Sequence, residues 1–143
     1  AYTFTKAKGH LSGEPLLSQA IVSDFITEGH FIRHLRKMSL IYQNKWDHTQ
    51  HLVDQYLQDL ATPIAESTGM HIALQIESTS DIYLEASFAK QGYGSTALSS
   101  YYLQGSKYPD SLSGLVLGFV CTNTQERESG IKTLKKIIKE KVL

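Results

Sequence analysis

The stretch from Thr27 to Leu60, TEGHFIRHLRKMSLIYQNKWDHTQHLVDQYLQDL, restricts the possible folds of this chain more than any other. It holds no proline, and its single glycine, Gly29, stands near its start. Phe31, Leu35, Met38 and Tyr42, then Leu52, Tyr56 and Leu60, recur at steps of three and four, the period of one helical face. Arg33, Lys37, Asn44, Asp47, Gln50, Asp54 and Gln58 fall on the other side and suit water. Some thirty helical residues span roughly 45 Å. Helices in globular domains average about three to four turns, so one this long predicts a bridge between two bodies.

The rest of the composition narrows the class. A chain of 143 residues with 41% hydrophobic content can bury a core, and no apolar run reaches membrane-spanning length. The first ten residues, AYTFTKAKGH, lack the apolar centre of a signal peptide and read as the start of a piece cut from a longer protein. Fourteen basic and fourteen acidic residues cancel, which argues against a nucleic-acid surface in this chain, because such binding rests on excess positive charge. The single Cys121 excludes an internal disulfide and fits a reducing, cytoplasmic setting. Its place at the end of an apolar run predicts a buried, inert thiol.

Local signals order the remaining elements. A first helix is expected from Glu14-Pro15, with Leu17, Ala20, Ile21 and Phe25 as its buried face, packed against the early half of the long helix. Gly29 should close it in the left-handed conformation and kink the chain. Pro63 should stop the long helix near Ala61. Met70 to Glu77 alternates, with Met70, Ile72, Leu74 and Ile76 on one face, and predicts a half-buried strand. The cluster Ser78-Thr79-Ser80-Asp81 should cap a helix with Ile82, Ala86 and Ala89 on one face and Leu84 and Phe88 nearby. Gly92 and Gly94 end it, and Ser95 to Leu103 reads as a short strand followed by a polar loop, Gln104 to Ser113. The apolar run Gly114 to Cys121 predicts a central strand covered on both faces. Asn123 and Glu126 have capping-box spacing for a last helix with Ile131, Leu134, Ile138 and Val142 inward. Its Lys135, Lys136, Lys139 and Lys141 suit a solvated C-terminal end. The order implies an α+β layer, a small sheet of three to four strands with helices on one face, preceded by the long bridging helix.

Few residues point to chemistry. The pairs His30/His34 and His48/His51 have ligand spacing, but no third ligand is patterned with them, so an exposed helical face is the better reading. Gly92-Tyr93-Gly94 follows a helix rather than a strand and reads as a stop and turn, not a phosphate loop. Ser99, Ser100, Tyr101 and Tyr102 could line a pocket with hydroxyls and phenols, or simply form cross-strand pairs. No hydrolase triad, paired carboxylates or dinucleotide fingerprint stands out.

Two stretches carry a resemblance. DFITEGHFIRHLRKMSLIY (Asp24 to Tyr42) resembles the passage from core to small domain in MocR-type regulators, and LSSYYLQGSKYPDSLSGLVLGFVCTNTQERESGIKTL (Leu98 to Leu134) resembles their end. The shared pattern is a Ser-x-Tyr-Tyr stretch, a variable loop, a Gly-Leu-x-Leu-Gly-Phe strand and a closing helix, in that order. That family joins a GntR-type winged helix-turn-helix to a fold-type-I aminotransferase-like domain holding pyridoxal 5′-phosphate on a lysine of its large subdomain. The resemblance implies that residues 1–29 are a remnant of the large subdomain, a loop and a helix. Residues 30–143 would be the small subdomain, with the long helix at 30–61 as the bridge. Without the large subdomain, residues 14–30 would present an apolar face suited to self-association. Lys6 and Lys8 do not fit the cofactor-lysine motif, since the proline, arginine and Gly-Tyr strand that follow it are missing. The resemblance therefore places the cofactor-binding residues and the DNA-binding domain outside this chain, with no catalytic residue in it. It implies a parent that dimerises, binds DNA and senses a small amine or amino acid, with Ser100, Tyr101 and Tyr102 nearest the effector pocket. Aminotransferases of this fold commonly clamp the substrate carboxylate with an arginine in the last strand. Val116 stands there, and Gly114 to Thr124 contains no arginine. The enzymatic alternative is the small subdomain of a true aminotransferase of aminoadipate or kynurenine type. A third reading is a binding module unrelated to this cofactor.

Overall fold

The computed structural model describes residues 16–64, 69–77, 79–102 and 113–142. The chain divides into two compact units, Ala1–Leu40 and Ile41–Leu143.

In the first unit, helix α1 spans Leu16–Thr27. Gly29 at φ 76° separates it from α2, which starts at His30. Only glycine adopts that left-handed angle freely, and the Gly29 N–H donates to the Ile26 carbonyl to close α1. The expected buried face of α1 is corrected. Leu17, Ile21 and Phe25 are all exposed, and α1 buries no residue. Phe31 and Leu35 on the early turns of α2 are also exposed. Leu16, Leu17, Ile21, Val22, Phe25 and Ile26 are spread around α1 rather than gathered on one stripe, and all are exposed.

Helix α2 covers His30–Leu57, 28 residues or about 42 Å. Its later half enters the second unit's core through Trp46, Thr49, Leu52, Val53 and Leu57. Four of these, all but Leu52, lie outside the stripe read from the sequence, because Trp46 and Val53 lead a neighbouring row that faces the sheet. Leu60 and Ala61 leave the helix with N–H bonds to the Leu57 carbonyl, and the chain enters β1, Thr62–Pro63.

The sheet is antiparallel with order β1-β2-β4-β3. Strand β2 is His71–Gln75, β3 is Thr96–Ala97 and β4 is Gly114–Gly118. Strand β4 is central, as expected, and pairs with β2 from His71↔Gly118 to Gln75↔Gly114. Ile72, Leu74, Leu115 and Leu117 turn to one face and join α2, helix α3 (Asp81–Lys90) and helix α4 (Thr124–Val142) in one buried cluster. The opposite face, with His71, Ala73 and Val116, is only partly covered, so β4 is buried on one side rather than two. Burial of seventeen apolar side chains makes this cluster the main source of stability among the described residues.

Four further expectations are corrected. Helix α3 buries Asp81, Leu84 and Phe88, while Ile82, Ala86 and Ala89 face out. Ser80 makes no side-chain cap; the Asp81 carboxylate instead accepts the Ile82 and Ser99 N–H groups, both at 2.8 Å. The strand expected from Ser95 to Leu103 is paired only at Thr96–Ala97, and Leu98–Tyr101 coils into a 3₁₀ turn. The Asp81 bond to Ser99 N–H draws the backbone out of extended geometry there. Met70, expected on the inward face of β2, is exposed beyond its first residue. The loop 104–112, the Ser78 cap and residues 1–15 lie outside the described residues.

Candidate functional site

The residues singled out from sequence gather at one end of β4. The antiparallel register Thr96↔Val116 and Ala97↔Leu115 carries the chain after β3 past Gly114, the start of β4. Ser100, Tyr101 and Tyr102 therefore sit at that end, all exposed, with Tyr101 64% accessible. Tyr102 N–H donates to the Ser99 carbonyl at 3.1 Å, which closes the turn. The Tyr101 phenol is the more exposed of the two.

Val116 lies midway along β4. Its register partners Ala73 and Thr96 share its face, which is the partly covered one. Among the described residues the arginines are Arg33, Arg36 and Arg127. Arg127 belongs to the opposite end of β4, where it lines a cleft with Gly118.

That cleft, of about 480 Å³, was not legible in the sequence. It lies between the Gly92–Gly94 turn, the end of β4 and the first turns of α4. Local rules build each wall. Gly92, at φ 84°, ends α3: its N–H donates to Ala89 O and the Tyr93 N–H to Phe88 O, while the Tyr93 ring stacks on Phe88 at 5.0 Å. Tyr93 Oη reaches across to Ser129 Oγ at 2.8 Å. A Cβ on Gly130 would lie 3.4 Å from the Tyr93 ring, at the near edge of ordinary contact. On α4 the expected capping box is present: Asn123 N–H donates to Glu126 Oε2 at 2.7 Å and Glu126 N–H to Asn123 Oδ1 at 2.9 Å.

Two cations pin the turn between β4 and α4. Arg127, 9% exposed, donates to Thr122 O at 2.7 Å, to Thr124 Oγ1 at 3.5 Å and to His48 Nδ1 at 3.4 Å. Lys45 Nζ donates to Val120 O and, at 3.1 Å, to Thr122 O. Burial pushes the Arg127 guanidinium below its ordinary value, and neighbouring Glu126 pulls it back. Since arginine stays protonated, His48 Nδ1 is an acceptor in this arrangement. On the outer side of α4, the hydrogen bond from Lys132 to Glu128, 2.7 Å, holds that carboxylate below its ordinary range, and the same bond raises Lys132.

Cys121 is exposed and lines the cleft, which corrects the expected buried thiol. The strand ends at Gly118, Phe119 takes the last inward position, and the turn throws Cys121 outward. The histidine pairs assemble no metal site: among the described residues no group of three potential ligands occurs. Pyridoxal phosphate requires a Schiff-base lysine and a partner for its ring nitrogen. No lysine lines the cleft, and Lys45 is engaged by two backbone carbonyls, so the described residues do not by themselves fit the cofactor. No helix among them is long and apolar enough to cross a membrane.

No family model matches the sequence. The chain is 27% identical over 121 residues to the probable rhizopine catabolism regulatory protein MocR of Rhizobium meliloti, across 84% of this chain and 24% of that protein. Its fold matches LysN, an α-aminoadipate aminotransferase from Thermus thermophilus, with TM-score 0.78 and 17% identity, over 95% of this chain and 34% of that one. It matches an archaeal alanine:glyoxylate aminotransferase with TM-score 0.74 and 25% identity, over 89% and 31%. The chain thus spans about a quarter of the curated regulator and a third of these enzymes. The mixed architecture with its four-stranded antiparallel sheet is compatible with the small-domain part of an aminotransferase. In sequence and in fold, the chain fits a MocR-type, aminotransferase-like fragment.

Proposed function

We propose that this chain is the C-terminal part of a pyridoxal-phosphate-dependent transcriptional regulator. It would contribute effector sensing and domain closure, without catalysis or DNA binding of its own. The observation that carries the reading is the sequence relation to a regulator across 84% of the chain. In this reading residues 1–29 are a remnant of the large subdomain, 30–143 are the small subdomain, and α2 is the bridge. The all-round apolar surface of α1 supports that division, because the rest of the parent would bury it. The small subdomain would close over effector and bias a cytoplasmic, dimeric parent between DNA-binding states. Ser100, Tyr101 and Tyr102, at one end of β4, would stand nearest the effector. Val116, with Ala73 and Thr96 beside it, offers no bidentate partner for a carboxylate, which favours an amine effector over an ordinary α-amino acid.

The test compares this chain with the full-length parent. The parent loaded with pyridoxal phosphate should show the absorbance of a protein-bound Schiff base and change its DNA affinity when amine is added. This chain alone should do neither, and a Schiff-base band from it would sink the proposal. The aminotransferase folds support a second reading, the small subdomain of an enzyme of aminoadipate or kynurenine type. Steady transamination by the parent, with no DNA binding, would favour it.

A further inference from the structure

Asp81 opens α3, yet only half of its carboxylate serves that helix. The residue is buried, 6% exposed. Oδ1 accepts the neighbouring Ile82 N–H at 2.8 Å, and Oδ2 accepts the Ser99 N–H at 2.8 Å. The second bond reaches eighteen residues along the chain, into the 3₁₀ turn at Leu98–Tyr101. A carboxylate is costly to take out of water unless hydrogen bonds replace its hydration. Bonds from N–H groups to an ionised oxygen are roughly twice as strong as neutral ones. A buried charge thus stands at the base of one short turn.

That turn leads into Ser100, Tyr101 and Tyr102. Pairing with β4 holds the chain as far as Ala97, opposite Leu115. Leu98 packs on the start of β4, where a Cβ on Gly114 would come within 2.8 Å of Leu98 Cδ1. At Ser99 the support passes to α3, through Asp81. Tyr102 N–H then donates to the Ser99 carbonyl at 3.1 Å, so the backbone at Ser99 sets where the turn places its tyrosines. Two residues before Asp81, Thr79 O accepts the Ser113 hydroxyl at 2.5 Å, so the same short segment also ties the residue that precedes β4. Binding groups keep their geometry when buried hydrogen bonds behind them fix their backbone.

We propose, on the reading that Ser100, Tyr101 and Tyr102 stand nearest the effector, that Asp81 is a positioning residue for effector binding. It touches no effector. It fixes the turn at Ser99 and so sets how tightly those three residues hold an amine. Leu84 and Phe88 keep α3 in the core without the Ser99 bond, so its loss acts on the turn and not on the whole subdomain.

Two measurements test this. In the 143-residue chain, the Ser99 amide should exchange with solvent about tenfold faster in Asp81→Ala. Asp81→Asn, which keeps one acceptor oxygen for the two N–H groups, should fall between that variant and the wild type. In the full-length parent, DNA affinity is followed by fluorescence anisotropy while ethanolamine or benzylamine is added. Asp81→Ala should raise the amine concentration at half effect about tenfold, the scale of one hydrogen bond to a charged group. The affinity without amine and the response at saturation should stay as in the wild type. Tyr101→Ala and Tyr102→Ala should raise the half-effect concentration as well. If Asp81→Ala does not fold, Asp81→Ser, too short to reach Ser99, carries the same expectations. The proposal is overturned by unchanged exchange at Ser99, or by tyrosine variants that lose the amine response while Asp81→Ala keeps it. It is also overturned if Asp81→Ala lowers the affinity without amine, as general damage to the fold would. If neither amine alters DNA affinity, or the tyrosine variants respond as the wild type does, the effector-site reading itself fails and takes this role of Asp81 with it. Faster exchange at Ser99 in that case shows that the turn is held as described and that only its function was misread.

Discussion

Two glycines of β4 should answer the addition of one methyl group in opposite ways. A Cβ on Gly114 would overlap the Leu74 carbonyl oxygen and come within 2.8 Å of Leu98 Cδ1. The first obstacle is backbone of the paired strand, so no rotamer change relieves it, and β2 must move away from β4. Overpacking costs about 1–3 kcal/mol where neighbours can shift, so Gly114→Ala is expected at the top of that range, about 3 kcal/mol. A Cβ on Gly118 meets the His71 ring at 3.5 Å, an ordinary contact. Replacing that glycine also restricts the unfolded chain, which stabilises by about 0.4–1 kcal/mol where the backbone tolerates it. The chain carries one tryptophan, Trp46, buried 5.8 Å from Phe119, and its fluorescence reports unfolding of this core. With a urea dependence of about 2 kcal/mol per molar, Gly114→Ala should lower the midpoint by about 1.5 M and Gly118→Ala should leave it level or slightly higher. Equal destabilisation by the two substitutions would refute the register on which this reasoning rests.

Other consequences are open to simpler measurements. Asn123→Ala and Glu126→Ala each remove half of a reciprocal cap and should cost about 1 kcal/mol in thermal unfolding, the double variant less than the sum; additive losses would mean the two act separately. Lys45→Met strips a donor from the Val120 and Thr122 carbonyls. It should cost about 1–3 kcal/mol in urea unfolding, and a neutral result would show water replacing it. The Glu128 carboxylate is held below its ordinary range, so its contribution to stability is complete above the unfolded value and lost as pH falls through the folded one. Lys132 is raised, so its contribution is complete below its unfolded value and fades as pH climbs through the folded one. In Lys132→Ala, an NMR titration should find Glu128 moved back up toward an ordinary glutamate; an unmoved carboxylate would exclude Lys132 as the main cause.

Much of the fold could be read locally. The proline-free run with its three-and-four spacing required a long helix, Gly29 and Gly92 marked the left-handed stops, and Asn123 with Glu126 announced the last helix. The alternation at Ile72, Leu74 and Ile76 fixed which side of β2 faces inward. These rules work because each depends on residues within a turn or two of one another. The candidate site was less legible. Ser100, Tyr101 and Tyr102 were marked by composition and by resemblance, but their 3₁₀ geometry depends on Asp81, eighteen residues before Ser99. The cleft had no signal beyond isolated glycines.

Local sequence specified the helices and β2, where α1 and α3 stop, and which side of β2 and of α4 must be dry. The tertiary structure alone decided that Trp46 and Val53, not Tyr42, lead α2 into the core, that Cys121 faces water, and that Arg127 reaches His48 across 79 positions of chain. It also decided that β3 ends one pair too early to cover Gly118. Propensity and capping are set by neighbours in sequence, whereas burial and the pairing of a strand edge are set by whatever distant surface the fold brings against them.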